Sequence, residues 1–419
     1  MEKKIKKNIN SFYSWLVFFI SSSFFLYKYL LQISPTVMTN ELLHDLHLSG
    51  FNLGNIIGIY FYIYLIMQIP AGLLIDRYSP KWIMTISILI CTIGMFIFSK
   101  AYSLFYIEVG RLLIGLGGSS AVVGTMKLIS IWFSKNKFAL ISGIMMAFGM
   151  VGAITAEGPL SYMIKIYGWR KSSFFLSLIG LIIFVLFILI IKENFQKKKL
   201  LSKEQSNSYI VKGFIKILLN KESWLISCYS GFAFVPISVF GGFWSIPYLM
   251  HVYHINRVYI ASLNSIIFIG FLISAPLGGW LSDYFQNRKN IMIVGTSMSF
   301  IFLSLIIYMF LPIWVLIFCL FFLGFFNGFF LVSFTMIKES NPIYLSATSI
   351  GFINMFNALC GAISGSMIGK LLDLSWNHII NNHTRIFLIH DYKIALSILP
   401  VFLLLGIICI FLSKETYQT

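Results

Sequence analysis

Gly72-Leu73-Leu74-Ile75-Asp76-Arg77-Tyr78-Ser79-Pro80-Lys81 closes one apolar run of the sequence. A counterpart, Gly279-Trp280-Leu281-Ser282-Asp283-Tyr284-Phe285-Gln286-Asn287-Arg288-Lys289, closes another. Each places an aspartate four residues after a glycine and basic residues within the next few positions. The two aspartates are 207 residues apart, close to half of the 419-residue chain. Equivalent loops at half-chain spacing mark a duplicated architecture. A glycine at a helix end lets a neighbouring backbone come close, and an aspartate one turn on can cap a helix N-terminus or pair with a cation. Gly72, Asp76, Arg77 and Asp283 are therefore the candidate residues of a conformational latch. The alternative is that both loops are solvated and serve only topology.

The sequence around these loops is membrane-like. It is 58% hydrophobic and only 11% charged, less than half of the roughly 25% charge of a soluble domain. Apolar runs of about 20 residues, the length that crosses a bilayer, recur along its whole length. The expected spans are about 12–36, 50–72, 81–99, 103–132, 137–166, 170–192, 223–250, 258–282, 290–310, 312–337, 344–372 and 392–413. The expected fold is an all-α membrane protein with twelve transmembrane helices in two pseudo-symmetric six-helix bundles. Residues 1–192 form the first bundle, 193–222 a basic linker and 223–419 the second.

A net charge of +17 would suit nucleic acid, but the charges sit in short loops between apolar runs, so no nucleic-acid partner is expected. On the lysine and arginine bias, 20 basic residues fall on the side of the termini and linker and 8 on the other. That places both termini in the cytoplasm. The basic N-terminus precedes an apolar run without a small-residue cleavage site, and is read as a retained first helix. The five cysteines lie in apolar runs without metal-ligand spacing. No metal is expected, although His251 and His254 are close in sequence. No phosphate-binding glycine-rich loop is present, so ATP is not the expected driving force, and no cofactor or enzymatic activity is expected.

Ionisable residues inside spans are costly and are functional candidates by default. Lys28, Arg111, Lys127 and Glu157 qualify. If helices 4 and 5 form an antiparallel hairpin, Glu157 is level with Arg111, and Lys28 lies in the same half of helix 1. Two readings follow: a charged binding site, with cations for a carboxylate and Glu157 for an ammonium or a proton, or a structural Arg111–Glu157 pair. Lys127 sits nearer the cytoplasmic end, where it can snorkel. Gln32 is one turn after Lys28 on the same face. Tyr60, Tyr64 and Gln68 recur at four-residue spacing. In the second half Phe240 and Trp244 share a face, as do Asn354 and Asn357, and Asn327 sits within helix 10. The candidate binding residues are Lys28, Gln32, Tyr64, Arg111, Glu157, Trp244, Asn327, Asn354 and Asn357. For the tyrosines and asparagines, packing and interhelical hydrogen bonding are the alternative roles.

The Gly72-x-x-x-Asp76-Arg77 loop, its weaker copy at Gly279 and Asp283, Arg111-x-x-x-Gly115-x-Gly117 and Gly168-Trp169-Arg170 together resemble the major facilitator superfamily over essentially the whole chain. The sequence departs from that pattern in places. Ser79 replaces a glycine, Tyr284 stands where a basic residue often follows the aspartate, and Gly158-Pro159 lacks the glycine pair of the antiporter pattern. The stretch Tyr27-Lys28-Tyr29 to Gln32 and Ser34-Pro35 to Met38 is similar to helix 1 of a bacterial branch that includes phagosomal amino-acid transporters, itself similar to the lysosomal dipeptide transporter of animals. The resemblance implies a monomeric secondary transporter in a bacterial inner membrane. It would move an amino acid or short peptide by alternating access, with a proton as the candidate coupling ion. An organic-anion carrier and a non-transporting, receptor-like membrane protein are the competing readings.

Overall fold

Among the described residues, twelve helices are long and apolar enough to cross a membrane: α1 (Phe12–Val37), α2 (Gly58–Arg77), α3 (Pro80–Ser99), α4 (Leu104–Trp132), α5 (Phe138–Glu157), α6 (Pro159–Ile190), α7 (Lys221–Tyr253), α8 (Tyr259–Tyr284), α9 (Arg288–Tyr308), α10 (Ile313–Glu339), α11 (Ile343–Ser375) and α12 (Ile389–Leu412). The computed structural model describes residues 11–46, 50–134, 137–192, 214–376, 380–381, 384–385 and 387–417. Most of the expected linker, residues 193–213, lies outside the described residues. Among them the one strand pairing is a two-residue ladder, β1 (Ile380–Asn381) antiparallel to β2 (Thr384–Arg385).

The chain packs as two units. One comprises Met1–Phe138, Phe148–Ile217 and Asn341–Phe352; the other comprises Ala139–Ala147, Leu218–Ser340 and Ile353–Thr419. In the first unit α4 is the central helix, with 83% of its apolar window buried against 33% for α6. Its sequence explains this. Gly115-Leu-Gly117-Gly118-Ser119-Ser120-Ala121 offers small side chains on every face, so α1, α2 and α3 can all pack on it. The run Ile182-Ile183-Phe184-Val185-Leu186 of α6 is apolar all round and is left mostly to lipid. In the second unit α10 packs on α8 and α9, and α12 packs on α7 and α9. A ladder of phenylalanines lines the α9–α10 seam, with Phe302 stacked on Phe326 at 5.9 Å.

Prolines and one glycine set the irregularities. Pro159 lacks an N–H, and α5 ends before it at Glu157. Gly168 takes φ +77°, a conformation open to glycine, and separates Pro159–Tyr167 from the Trp169–Ile190 stretch of α6. This break falls where the sequence places the junction of spans five and six. Helix α7 contains a π-helical stretch, Pro236–Trp244, and α10 a 3₁₀ turn, Gly328–Leu331. Such stretches interrupt the regular ladder and recur at functional sites.

Candidate functional site

The first unit holds a buried lysine in an aromatic setting. Lys28 is 3% exposed, and its ammonium donates to Gln32 Oε1 at 2.6 Å. It lies 4.1 Å from the ring centre of Tyr29 and 4.5 Å from that of Tyr64. Tyr60 and Tyr64, one turn apart on α2, are stacked at 5.7 Å, and the Tyr60 hydroxyl donates to the same Gln32 oxygen at 3.2 Å. The four-residue spacings therefore do bring Lys28, Gln32, Tyr60 and Tyr64 together. Lys28 has no carboxylate partner among the described residues. Desolvating an ammonium costs several kcal/mol, and a cation–π contact returns about 0.5–2 kcal/mol. The cluster is thus one negative charge short.

Arg111 is taken up by backbone carbonyls. It is fully buried. Its Nε donates to Ile56 O at 3.1 Å, Nη1 to Leu31 O at 2.9 Å and Nη2 to Gln32 O at 3.4 Å, and its plane lies 4.8 Å from the centre of the Tyr60 ring. The reason is in α1. Pro35 has no N–H to offer the carbonyl four residues back, which is Leu31. Arg111 and Ser34 Oγ supply the missing donors. Arg111 is therefore a clamp between α4, α1 and the start of the helix that carries α2.

The expected Arg111–Glu157 pair does not form. Glu157 is exposed at the last position of α5, without an ion pair among the described residues. Equal depth fixes height along a helix and not the direction in which a side chain leaves it.

Asp76 has the richest environment among the candidate latch residues. Lys127 Nζ lies 2.6 Å from its Oδ1, and Ala347 N donates to the same oxygen at 3.1 Å. Its Oδ2 accepts from Thr348 N and Thr348 Oγ1, each at 2.7 Å. The carboxylate thus caps the helix Ser346–Ser375, whose first turn belongs to the same packing unit. Gly72 makes the approach possible: a Cβ there would stand 2.7 Å from Thr348 Cα. Lys127, read from the sequence as a weak ligand candidate, is the counter-ion, and its Nζ also donates to Ser346 Oγ at 2.9 Å. Arg77 makes no ion pair among the described residues; it is exposed and stacks on Tyr78. Sequence reasoning missed Ser346 and Thr348, although hydroxyl residues at a helix start are a recognisable signal.

In the second unit Asp283 is engaged differently. Arg288 Nη1 contacts Asp283 Oδ1 at 2.6 Å and donates to Ser282 Oγ at 2.9 Å, while Nη2 contacts Glu339 Oε1 at 3.1 Å. Arg288 supplies the cation absent at Tyr284, which is exposed and stacked on Trp280. The polar candidates of this unit make interhelical bonds. Asn327 Nδ2 donates to Ala233 O at 2.7 Å, and Ser230 Oγ donates to Asn357 Oδ1 at 2.8 Å. Asn354 is buried and Trp244 half-buried at the end of the π-helical stretch. Asn264, not singled out from the sequence, ties that stretch to α8 by donating to Gly241 O at 2.8 Å and accepting from Ser245 Oγ at 2.6 Å.

On the other end of the first unit, Trp169 Nε1 and Arg170 Nη1 donate to Asp45 Oδ2 at 2.9 and 2.7 Å. These bonds, that of Trp169 first, hold the Asp45 carboxyl below the usual carboxylate range.

Twelve spans, a helix-capping aspartate at the end of α2 and the Arg111 clamp define a class of membrane transporter. Residues 15–246 and 232–417 match the profile of the Major Facilitator Superfamily, and the chain belongs to that family. It is 22% identical to the uncharacterized transporter YybO of Bacillus subtilis over 94% of each chain. It is 23% identical to the probable galactarate/D-glucarate transporter GudP of Escherichia coli over 88% of each. With the sialic acid transporter NanX of Escherichia coli it shares 28% identity over 55% of this chain and 56% of that one. Among solved structures, the fucose:proton symporter FucP of Escherichia coli superposes with a TM-score of 0.70 at 15% identity. It covers 96% of this chain and 100% of its own. The protein is a multi-pass secondary transporter of this superfamily.

Proposed function

We propose that the cargo is a small organic anion carrying a carboxylate, and that Lys28 is the group that binds it. The observation that carries this reading is the buried Lys28 ammonium, held by Gln32, Tyr29 and Tyr64 with no carboxylate beside it among the described residues. A cargo anion supplies the missing charge in a low-dielectric setting, where the pairing is strongest. Tyr64 offers an aromatic face to a polar carbon skeleton, and Tyr60 holds Gln32 beside it. The names of the relatives run the same way: galactarate/D-glucarate, hexuronate and sialic acid.

The amino-acid or peptide reading fits less well. A zwitterion needs an anion for its ammonium near the cation for its carboxylate, and Glu157 forms no pair in the Lys28 cluster. Glu157 is the proposed carrier of a coupling proton. Gly72, Asp76 and Lys127 are the proposed latch that governs the exchange between conformations by alternating access. Arg111 positions α1 for the cargo and does not touch it.

Counterflow in proteoliposomes tests the reading. Labelled galactarate or a hexuronate should exchange, excess unlabelled sugar acid should compete, and amino acids should not. Lys28→Gln should cut the exchange at least tenfold while the protein remains folded. Exchange of amino acids alone, or normal exchange by Lys28→Gln, would overturn the assignment. Binding of a sugar acid without any flux would favour the receptor-like alternative.

A further inference from the structure

An apolar furrow of about 280 Å³ runs between α3 and α6 on the outer face of the first unit. Leu89, Thr92, Ile93 and Phe96 form one wall; Phe174, Ser177, Leu178 and Leu181 form the other. Its two hydroxyls are turned back onto their own helices, Thr92 Oγ1 to Ile88 O and Ser177 Oγ to Phe174 O, so the furrow presents carbon. Ile93, Phe96, Leu178 and Leu181 are each about 40% exposed, as befits a surface facing lipid.

The furrow ends in positive charge. Lys100 follows the last residue of α3, and its ammonium lies 5.6 Å from the ring centre of Phe174. Lys171 is one turn before Phe174 on α6 and is exposed. Arg170 Nη2 reaches Ala101 O at 3.4 Å, which brings the two helix ends together. Arg170 is already paired with Asp45, whereas neither lysine has a carboxylate partner among the described residues. From Leu89 to Lys100 the helix rises about 16 Å, which matches the roughly 15 Å of hydrocarbon in one leaflet. A chain lying in the furrow therefore delivers its headgroup to the level of the two lysines.

We propose that this furrow is a binding site for one anionic phospholipid, with an acyl chain between α3 and α6 and its phosphate held by Lys100 and Lys171. Lipid of any kind covers an apolar surface. The two lysines at the chain's end are what select an anionic headgroup, with a preference of roughly thirtyfold for two such lysines.

The test uses the purified full-length protein, freed of native lipid by detergent exchange. Dioleoyl phosphatidylglycerol, dioleoyl phosphatidylcholine and soluble glycerol 3-phosphate are titrated separately while thermal unfolding is followed. Phosphatidylglycerol should raise the melting temperature by several degrees more than phosphatidylcholine, and glycerol 3-phosphate should have no effect. The double variant Lys100→Gln, Lys171→Gln should respond equally to both lipids, and Leu178→Trp, which fills the furrow, should weaken phosphatidylglycerol binding about tenfold. Equal stabilisation of the wild-type protein by both lipids, or a phosphatidylglycerol preference that survives the double variant, overturns the proposal. Stabilisation by glycerol 3-phosphate alone would make this a free-phosphate site and also overturn it. In nanodiscs, where stability is not limiting, bromine-labelled phosphatidylglycerol should quench Ile93→Trp fluorescence more than labelled phosphatidylcholine; equal quenching counts against the site.

Discussion

The Lys127 ammonium lies 2.6 Å from the Asp76 carboxylate, and both side chains are under a tenth exposed. The carboxylate also accepts three hydrogen bonds from Ala347 and Thr348. A charge held this way is compensated twice, by an ion pair and by a helix N-terminus.

Removing that carboxylate strands Lys127. Asp76→Asn should slow transport and also destabilise the protein by about 3–5 kcal/mol, the cost of an unpaired buried charge. The double variant Asp76→Asn, Lys127→Met should recover most of the stability and leave transport slow. Thermal unfolding of the two variants in detergent separates these effects. A fully active double variant would show that the cap does not govern the conformational exchange.

Arg111→Lys keeps the charge and loses the fork. A lysine cannot reach Ile56 O and Leu31 O together, so about 2–3 kcal/mol of stability should be lost. Adding Pro35→Ala should restore part of it, because residue 35 then offers its own N–H to Leu31. A stable, transport-competent Arg111→Lys would indicate that only the charge matters.

The Asp45 carboxyl is depressed in the folded state by Trp169 and Arg170. Its contribution to stability is present above the ordinary carboxylate pKa of about 3.9 and is lost as pH falls through the lower folded value. Below about pH 4 the melting temperature of the wild-type protein should fall more steeply than that of Asp45→Asn. Parallel curves for the two proteins would mean that the contact contributes nothing at that end of the molecule.

The lysine and arginine bias predicts the orientation. A membrane-impermeant thiol reagent should label Lys192→Cys only from the cytoplasm and Tyr102→Cys only from outside; both positions are exposed. The opposite pattern would reverse the topology.

The helices and the two aspartate loops were legible because both depend on local signals: twenty-residue apolar runs, and a glycine four residues before a carboxylate. The Lys28–Gln32 and Tyr60–Tyr64 contacts were legible for the same reason, since i and i+4 share a face. The partners of Arg111 were not. They are backbone carbonyls, which leave no mark in side-chain identity, and the clue was Pro35, whose effect falls four residues upstream. The partners of Asp76 were hidden by distance along the chain, and the Arg111–Glu157 pair was expected because depth was read without direction.

That distance has a consequence for biosynthesis. Lys127 follows Asp76 by 51 residues, and Ala347 follows it by 271. At about 5–20 residues per second, the lysine is made within roughly 3–10 seconds and the helix start only after roughly 15–50 seconds. During that interval Lys127 is the partner that can neutralise Asp76 as the nascent chain enters the bilayer. The ion pair can therefore form before the helix cap does, because both of its partners precede the eleventh helix in the chain.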